Sequence, residues 1–375
     1  MPKKKIYLIA GEASGDLHAS NLMKALLAED QNIDFRFWGG DKMIAVADNC
    51  VKHIRDLAFM GFVEVLMNIR TIFSNIRFCK EDILSFQPDA LVLVDYPGFN
   101  LRIAEWAREN GIKVYYYISP QVWAWKESRV KKIKASVDHM FVILPFEKDF
   151  YRKHQMEVEF VGHPLLDAIQ DFQENSAASI ESFRERYHIA SDKPIIALLP
   201  GSRSQEIKVK LPIMLEAIGD SFPDYEVVIA GAPTKSGEFY QQFSKEITIA
   251  ENETYALLSN ASFALVTSGT ATLETALFDV PEVVCYKGSQ ISYMIARSLV
   301  KIKYISLVNL IMDQEVVKEL IQQDCTASNI REELSKLIGD QGYRNQMLND
   351  FELLKSKLGE GGASKKVAQS LLKTI

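Results

Sequence analysis

Ala90-Leu-Val-Leu-Val-Asp95-Tyr-Pro97-Gly-Phe-Asn100 carries the architecture of this chain in eleven residues. Five apolar residues in succession, with no polar alternation, predict a strand buried on both faces, as strands of parallel sheets are. The charge arrives at Asp95, where Pro97 and Gly98 end the strand. Reactive side chains of open α/β sheets gather beyond the carboxyl ends of strands, so a half-shielded carboxylate at this place suits a general base. The competing reading is an Asp that only caps a helix beginning near Asn100. Locally the two weigh the same, and the surrounding sequence has to separate them.

The same alternation recurs on both sides. Strand signals fall at 6–10, 35–38, 90–94, 113–118, 139–144 and 159–161, separated by helical patterns or loops. After a polar stretch between 167 and 194 they restart at 195–199, 226–230, 263–266 and 282–286. Strands alternating with helices predict doubly wound parallel sheets. With 375 residues, the expectation is an α/β protein of two Rossmann-like domains, 1–170 and 190–345, facing each other across a cleft. A terminal helical segment, 345–375, is expected to pack back on the first domain.

Hydrophobic residues make up 47% and charged residues 25%, an ordinary globular composition. A net charge of −6 gives no whole-chain signal for nucleic acid, so any anion binding must be local. Cys50, Cys79, Cys285 and Cys325 stand far apart without a Cys-x-x-Cys, which suggests neither a zinc site nor a disulfide framework. No run of about 18 apolar residues occurs, so no transmembrane helix is expected, while attachment to a membrane surface stays open.

Several loops carry chemistry. Gly11-Glu-Ala-Ser-Gly15 follows the first strand, but its spacing is neither a dinucleotide fingerprint nor a P-loop. It offers Glu12, Ser14 and Asp16 as polar groups, or is simply a tight strand–helix turn. Pro200-Gly-Ser202-Arg203-Ser-Gln-Glu206 occupies the equivalent place in the second half. Arg203 suits a phosphate, or alternatively a surface salt bridge to Glu206. Val266-Thr-Ser268-Gly269-Thr270-Ala-Thr272-Leu-Glu274 is a strand ending in small hydroxyl residues that open a helix, the arrangement of an anion site. Glu274 could accept from ribose hydroxyls or only complement the helix dipole.

Ser119-Pro-Gln121-Val-Trp123-Ala-Trp125 sets two tryptophans at a strand end, for stacking on a sugar, lining an acyl pocket or packing between domains. Lys126, Arg129, Lys131, Lys132 and Lys134 follow, either a solvated helix face or a partner for anionic headgroups. Phe62, Val65, Leu66, Ile69, Ile72, Phe73 and Ile76 recur at helical spacing, and Val63 and Met67 widen the stripe. That stripe reads as a core-facing helix or a membrane-docking one. No Asp-x-Asp pair occurs, so no metal and no cofactor is expected.

Taken in order, these motifs resemble the lipid A disaccharide synthases, inverting glycosyltransferases of the GT-B fold. The resemblance rests on Gly11–Asp16, Met60–Leu66, Asp95–Asn100, Ser119–Trp125, Leu144-Pro-Phe-Glu147, Phe160–Pro164, Leu199–Arg203, Ser268–Glu274 and Ser306-Leu-Val-Asn309-Leu. Val308 in place of a Pro, and the loop Trp38–Met43 without its usual Pro, depart from the family pattern. The resemblance implies transfer of diacylglucosamine from UDP-2,3-diacylglucosamine to 2,3-diacylglucosamine 1-phosphate, giving a β-1,6 disaccharide and UDP. It implies Asp95 as base, and Glu12, Ser14, Asp16, Asn100, Gln121 and Trp123 around the acceptor. UDP would be held by Ser202, Arg203, Glu206, Ser268, Gly269, Thr270, Thr272, Glu274 and Asn309. The protein would dock peripherally on the inner face of the cytoplasmic membrane through Phe62, Val63, Val65, Leu66, Ile69, Ile72 and Phe73; a homodimer is compatible with the pattern. The alternatives are another UDP-sugar enzyme of the same fold (a peptidoglycan glycosyltransferase or UDP-N-acetylglucosamine 2-epimerase) and a non-catalytic lipid- or nucleotide-binding protein. An epimerase needs no docking helix, so liposome flotation separates it.

Overall fold

The computed structural model describes residues 3–57, 69–232, 235–244, 247–289, 293–294 and 302–375. The chain forms two compact units, Met1–Asp167 with Leu358–Ile375, and Ala168–Lys357. Among the described residues the first holds seven strands: β1 (Lys4–Ala10), β2 (Ile33–Gly39), β3 (Cys50–His53), β4 (Ala90–Val94), β5 (Val114–Tyr117), β6 (His139–Val142) and β7 (Glu159–Phe160). Their order is β3-β2-β1-β4-β5-β6-β7, and every pairing is parallel. The second unit holds six: β8 (Ile195–Leu199), β9 (Glu226–Gly231), β10 (Thr248–Glu251), β11 (Phe263–Thr267), β12 (Glu282–Tyr286) and β13 (Lys318–Ile321). These run parallel in the order β10-β9-β8-β11-β12-β13.

Each sheet therefore reverses direction of winding once, between β1 and β4 in the first and between β8 and β11 in the second. Connections leave these strands toward opposite faces, and the crevice that opens between them is where ligands of doubly wound sheets bind.

The core follows from strand periodicity. Tyr7, Ile9, Leu91 and Leu93 pack on one face of the first sheet, and Ile6, Leu8, Ala90, Val92 and Val94 on the other. The second face is covered by helix Ala13–Glu29 through Leu22 and Leu26 and by the final helix Ala363–Leu372 through Val367 and Leu371. Apolar residues on both faces explain why these strands read as unbroken hydrophobic runs.

Candidate functional site

The first switch point is built around a strained turn. Asp95 (φ 46°) and Tyr96 (φ 50°) both adopt left-handed backbone directly after β4. Two such residues in a row cost about 1–3 kcal/mol each and persist only where the surroundings hold them. Here the Asp95 carbonyl accepts from the Tyr116 hydroxyl at 2.6 Å and from Asn100 Nδ2 at 2.8 Å. The same amide reaches Val94 O at 3.3 Å and Ile9 O at 3.4 Å, tying β4 to β1. Gly11 completes the fit, because a Cβ there would meet the Tyr96 ring at 2.3 Å. Helix Pro97–Glu109 has Tyr96 as its N-cap, so Asp95 stands one residue outside it and is not its cap.

Asp95 lines a 240 Å³ pocket at the carboxyl ends of β4, β5 and β6, with Pro97, Ile118, Ser119, Gln121, Trp125, Ile143, Leu144 and Glu147. Burial, and then the nearby Glu12 carboxylate, push its pKa up to about 6 against the opposing Tyr96 N–H. A carboxylate poised there is ionised at neutral pH yet still basic enough to draw a proton from a hydroxyl as it attacks. Ser14 is exposed in the first helical turn after β1.

Two residues expected at the acceptor are bound into the scaffold, although Asn100 Oδ1 has no partner among the described residues. Asp16 is buried, and its carboxylate accepts from Gly40, Lys42 and Met43 N–H at 2.7, 3.1 and 3.2 Å, anchoring the loop after β2. Asn100 is wholly buried and spends its amide on carbonyls of β1 and the Asp95 turn. Trp123 is half-buried, edge-on to Phe146, with its buried indole N–H on the side of the Glu147 carboxyl group.

The second switch point has a different make-up. A 400 Å³ pocket gathers Ser202, Arg203, Glu206, Ser268, Gly269, Thr270 and Glu274, together with Thr254, Thr267 and the ends of β8 and β9. Gly201 (φ 115°) and Gly269 (φ 147°) make its two loops with backbone that other residues adopt only under strain. Helix Thr270–Leu277 begins at its wall, aiming unpaired N–H groups and a positive dipole end into the space. Arg203 lines this pocket and stands 3.7 Å from Glu206, an exposed ion pair of the weak kind. Glu274 accepts from the Tyr255 hydroxyl at 2.9 Å, and burial holds its pKa above the usual value.

Thr272 and Asn309, expected at UDP, are fully buried away from this pocket. Thr272 donates to Gly269 O at 2.9 Å. Asn309 bonds Val317 O, Glu319 Oε1 and the Val316 and Val317 N–H groups, which exhausts its amide. Both hold loops in shape.

Phe62, Val63, Val65 and Leu66 lie outside the described residues, as does the Ile69 side chain. Further along helix Ile69–Phe86 the stripe divides. Ile76, Cys79 and Ile83 are buried in the first core, and Ile72 packs against it while partly exposed. Phe73 is 56% exposed, with the Arg102 guanidinium 5.8 Å from its ring. Trp125 is 47% exposed between Lys126 and Arg129, at 4.5 and 5.4 Å. Among the described residues no helix is long and apolar enough to cross a membrane.

Glu147 and Lys210 had no assigned role in the sequence reading. Glu147 follows a strand end and reads as an ordinary helix-start acid. Lys210, four residues after Glu206, reads as a surface pair but is 3% exposed, and donates to Thr267 Oγ1 behind the second pocket.

Comparison with known proteins sharpens the picture. Residues 6–371 match the family described as lipid-A-disaccharide synthetase. A lipid-A-disaccharide synthase of Coxiella burnetii (strain Dugway 5J108-111) is 36% identical over 373 residues, covering 98% of each chain. One from Trichlorobacter lovleyi is 35% identical, covering 99% of this chain and 98% of that protein. Among solved structures, the UDP-GlcNAc 2-epimerase of Neisseria meningitidis bound to UDP-GlcNAc superposes with a TM-score of 0.71 at 15% identity, covering 98% of this chain and 100% of that one. The calicheamicin glycosyltransferase CalG4 gives 0.59 at 14% identity, covering 99% of both. At such identities these two structures speak for the fold alone.

Proposed function

The chain belongs to the lipid-A-disaccharide synthetase family and is a glycosyltransferase of the GT-B fold; from that premise we propose how its two pockets divide the reaction. The first unit takes the acceptor, 2,3-diacylglucosamine 1-phosphate, and the second takes UDP-2,3-diacylglucosamine. Asp95 removes the proton from the acceptor 6-hydroxyl as its oxygen attacks the anomeric carbon. The carbon–oxygen bond to the diphosphate breaks on the opposite face, so configuration inverts. Charge developing on the departing UDP meets Arg203 and the start of helix Thr270–Leu277, groups already oriented before the reaction begins. Glu274, steadied by Tyr255, accepts from the ribose. No step calls on a metal.

One observation carries this reading: a half-buried carboxylate with its pKa near 6 lines a pocket beyond β4, β5 and β6, and a phosphate-suited set lines the pocket at the switch point of the second sheet. The substrates are lipids, and withdrawing acyl chains from a bilayer costs about 0.8 kcal/mol per CH₂. The enzyme therefore works at the cytoplasmic membrane surface. Phe73, the segment before it and the Trp125 platform with its basic neighbours are the docking elements. The test is incubation with both lipids while following UDP release and the disaccharide product. UDP release that needs both lipids supports the assignment, and release from the donor alone, or none, counts against it. Liposome flotation of Phe73→Ser tests docking separately: reduced recovery with an unchanged melting temperature is expected, and a collapse in melting temperature would assign Phe73 to the core.

A further inference from the structure

Glu147 lies at the start of helix Pro145–Lys153, beyond β6, and is 1% exposed. Its Oε2 accepts from Leu144 N–H at 2.9 Å and Ile143 N–H at 3.2 Å. Those two bonds fix the carboxyl group and leave Oε1 for the pocket that Glu147 shares with Asp95. β5 lies between the two carboxyl-bearing strands, and its end contributes Ser119, whose hydroxyl pairs with Tyr151 at 2.7 Å. Three neighbouring strands thus deliver a base, a hydroxyl and a second carboxyl group to one cavity. A helix-start acid needs only its backbone bonds; lining a ligand-sized cavity opposite a base is more than that role asks.

We propose that Glu147 is a second substrate-contacting residue of the acceptor pocket, a carboxyl group that in its protonated form donates from Oε1 to an oxygen of the acceptor sugar. The chemistry favours that form. The groups facing it are Ser119 beyond β5, Trp123 from the short helix that follows, Tyr151 on its own helix and Asp95 across the cavity. No cation is among them. Burial pushes its pKa up to about 7, although the Leu144 and Ile143 N–H groups, Ser119 and Trp123 pull the other way. Burial is more complete at Glu147 than at Asp95, so it favours the neutral form more strongly at Glu147. Ionising Glu147 would turn a donor into a second negative charge against the acceptor.

This rests on reading the pocket as the acceptor site, and the experiment separates the two. The dependence of kcat/KM on pH, with acceptor varied and donor saturating, is measured for the wild type and Glu147→Gln. The wild type should lose activity above about pH 7, approaching tenfold per pH unit. Glu147→Gln, whose amide still donates but cannot ionise, should raise the acceptor KM roughly two- to tenfold and abolish that alkaline loss. Retention of the wild-type alkaline limb by the variant would overturn the proposal. Where Glu147→Gln folds poorly, calorimetry of acceptor binding to Asp95→Asn in buffers of different ionisation heat replaces it. Uptake approaching one proton above about pH 7 is expected, and no uptake refutes the role. A wild type that releases no UDP from the lipid pair would instead refute the acceptor-site reading itself.

Discussion

The two sheets share one order over six strands, the first adding β7 at its edge, and put opposite chemistry beyond the carboxyl ends of their strands. After β4 the turn is made of non-glycine residues forced into left-handed backbone and locked by a buried Asn100, and the pocket it lines, beyond β4, β5 and β6, holds the Asp95 and Glu147 carboxyl groups. At the β8–β11 crevice the loops turn on glycines and present hydroxyls, Arg203 and a helix start. Topology supplies a crevice and loop residues decide what it does. On the proposed reading, a carboxyl group among apolar walls serves proton transfer, and N–H groups with an arginine serve a diphosphate.

The largest effect should come from the first crevice. Asp95→Asn keeps size and polarity, so melting temperature and UDP affinity should stay near wild type. Turnover should fall roughly 10²–10⁴-fold, the usual worth of a general base. In the second crevice, Arg203→Ala should weaken UDP roughly ten- to a hundredfold in calorimetric titration, with Arg203→Lys recovering part of it as a point charge without the fork. Unchanged affinity would move the phosphates elsewhere and break the division of labour.

Glu282 sharpens the comparison by being a raised carboxyl group outside both pockets. It is wholly buried at the start of β12, and neither oxygen has a partner among the described residues. Burial, with Glu319 adding to it, puts its pKa well above 4.5. A carboxyl group raised on folding favours the native state while protonated, and that contribution fades as pH rises above 4.5 toward the folded value. Glu282→Met should therefore gain little at pH 4 and about 1–3 kcal/mol toward neutral pH, measured by denaturant unfolding. No gain at neutral pH would mean that Glu282 is satisfied in the folded protein. The smallest effect is Glu274→Ala, which should weaken UDP roughly three- to tenfold through lost ribose contacts. An unchanged affinity would leave Glu274 only its bond to Tyr255.

Legibility followed solvent exposure. β4, β8, β11 and β12 are buried along nearly their whole length and stood out as apolar runs. β3, β10 and β13 were not read from the sequence, and each is an edge strand of four residues. Cys50-Val-Lys-His53 and Lys318-Glu-Leu-Ile321 mix polar and apolar residues because one flank meets water, so no unbroken run marks them. The site divides similarly. Asp95, Arg203 and the Ser268–Thr270 loop follow strand ends directly and were visible there. Asp16, Asn100 and Asn309 look like ligand-binding polar residues in sequence, and the fold adds bonds from each to backbone groups, across the chain for Asp16 and Asn100 and seven residues on for Asn309. Glu147 and Lys210 were missed for the converse reason: each looks like an ordinary surface charge in sequence, and their burial belongs to the fold.

The most direct test of Asp95 as the base is the acid limb of the pH–rate profile, compared between wild type and Asp95→Asn under single-turnover conditions. A base with its pKa raised to about 6 predicts a wild-type rate that drops about tenfold per pH unit below that value, and a variant whose slow residual rate has no such limb. A limb near pH 6 that survives in the variant, or a wild-type limb at the ordinary carboxylate value, would contradict Asp95 as the base.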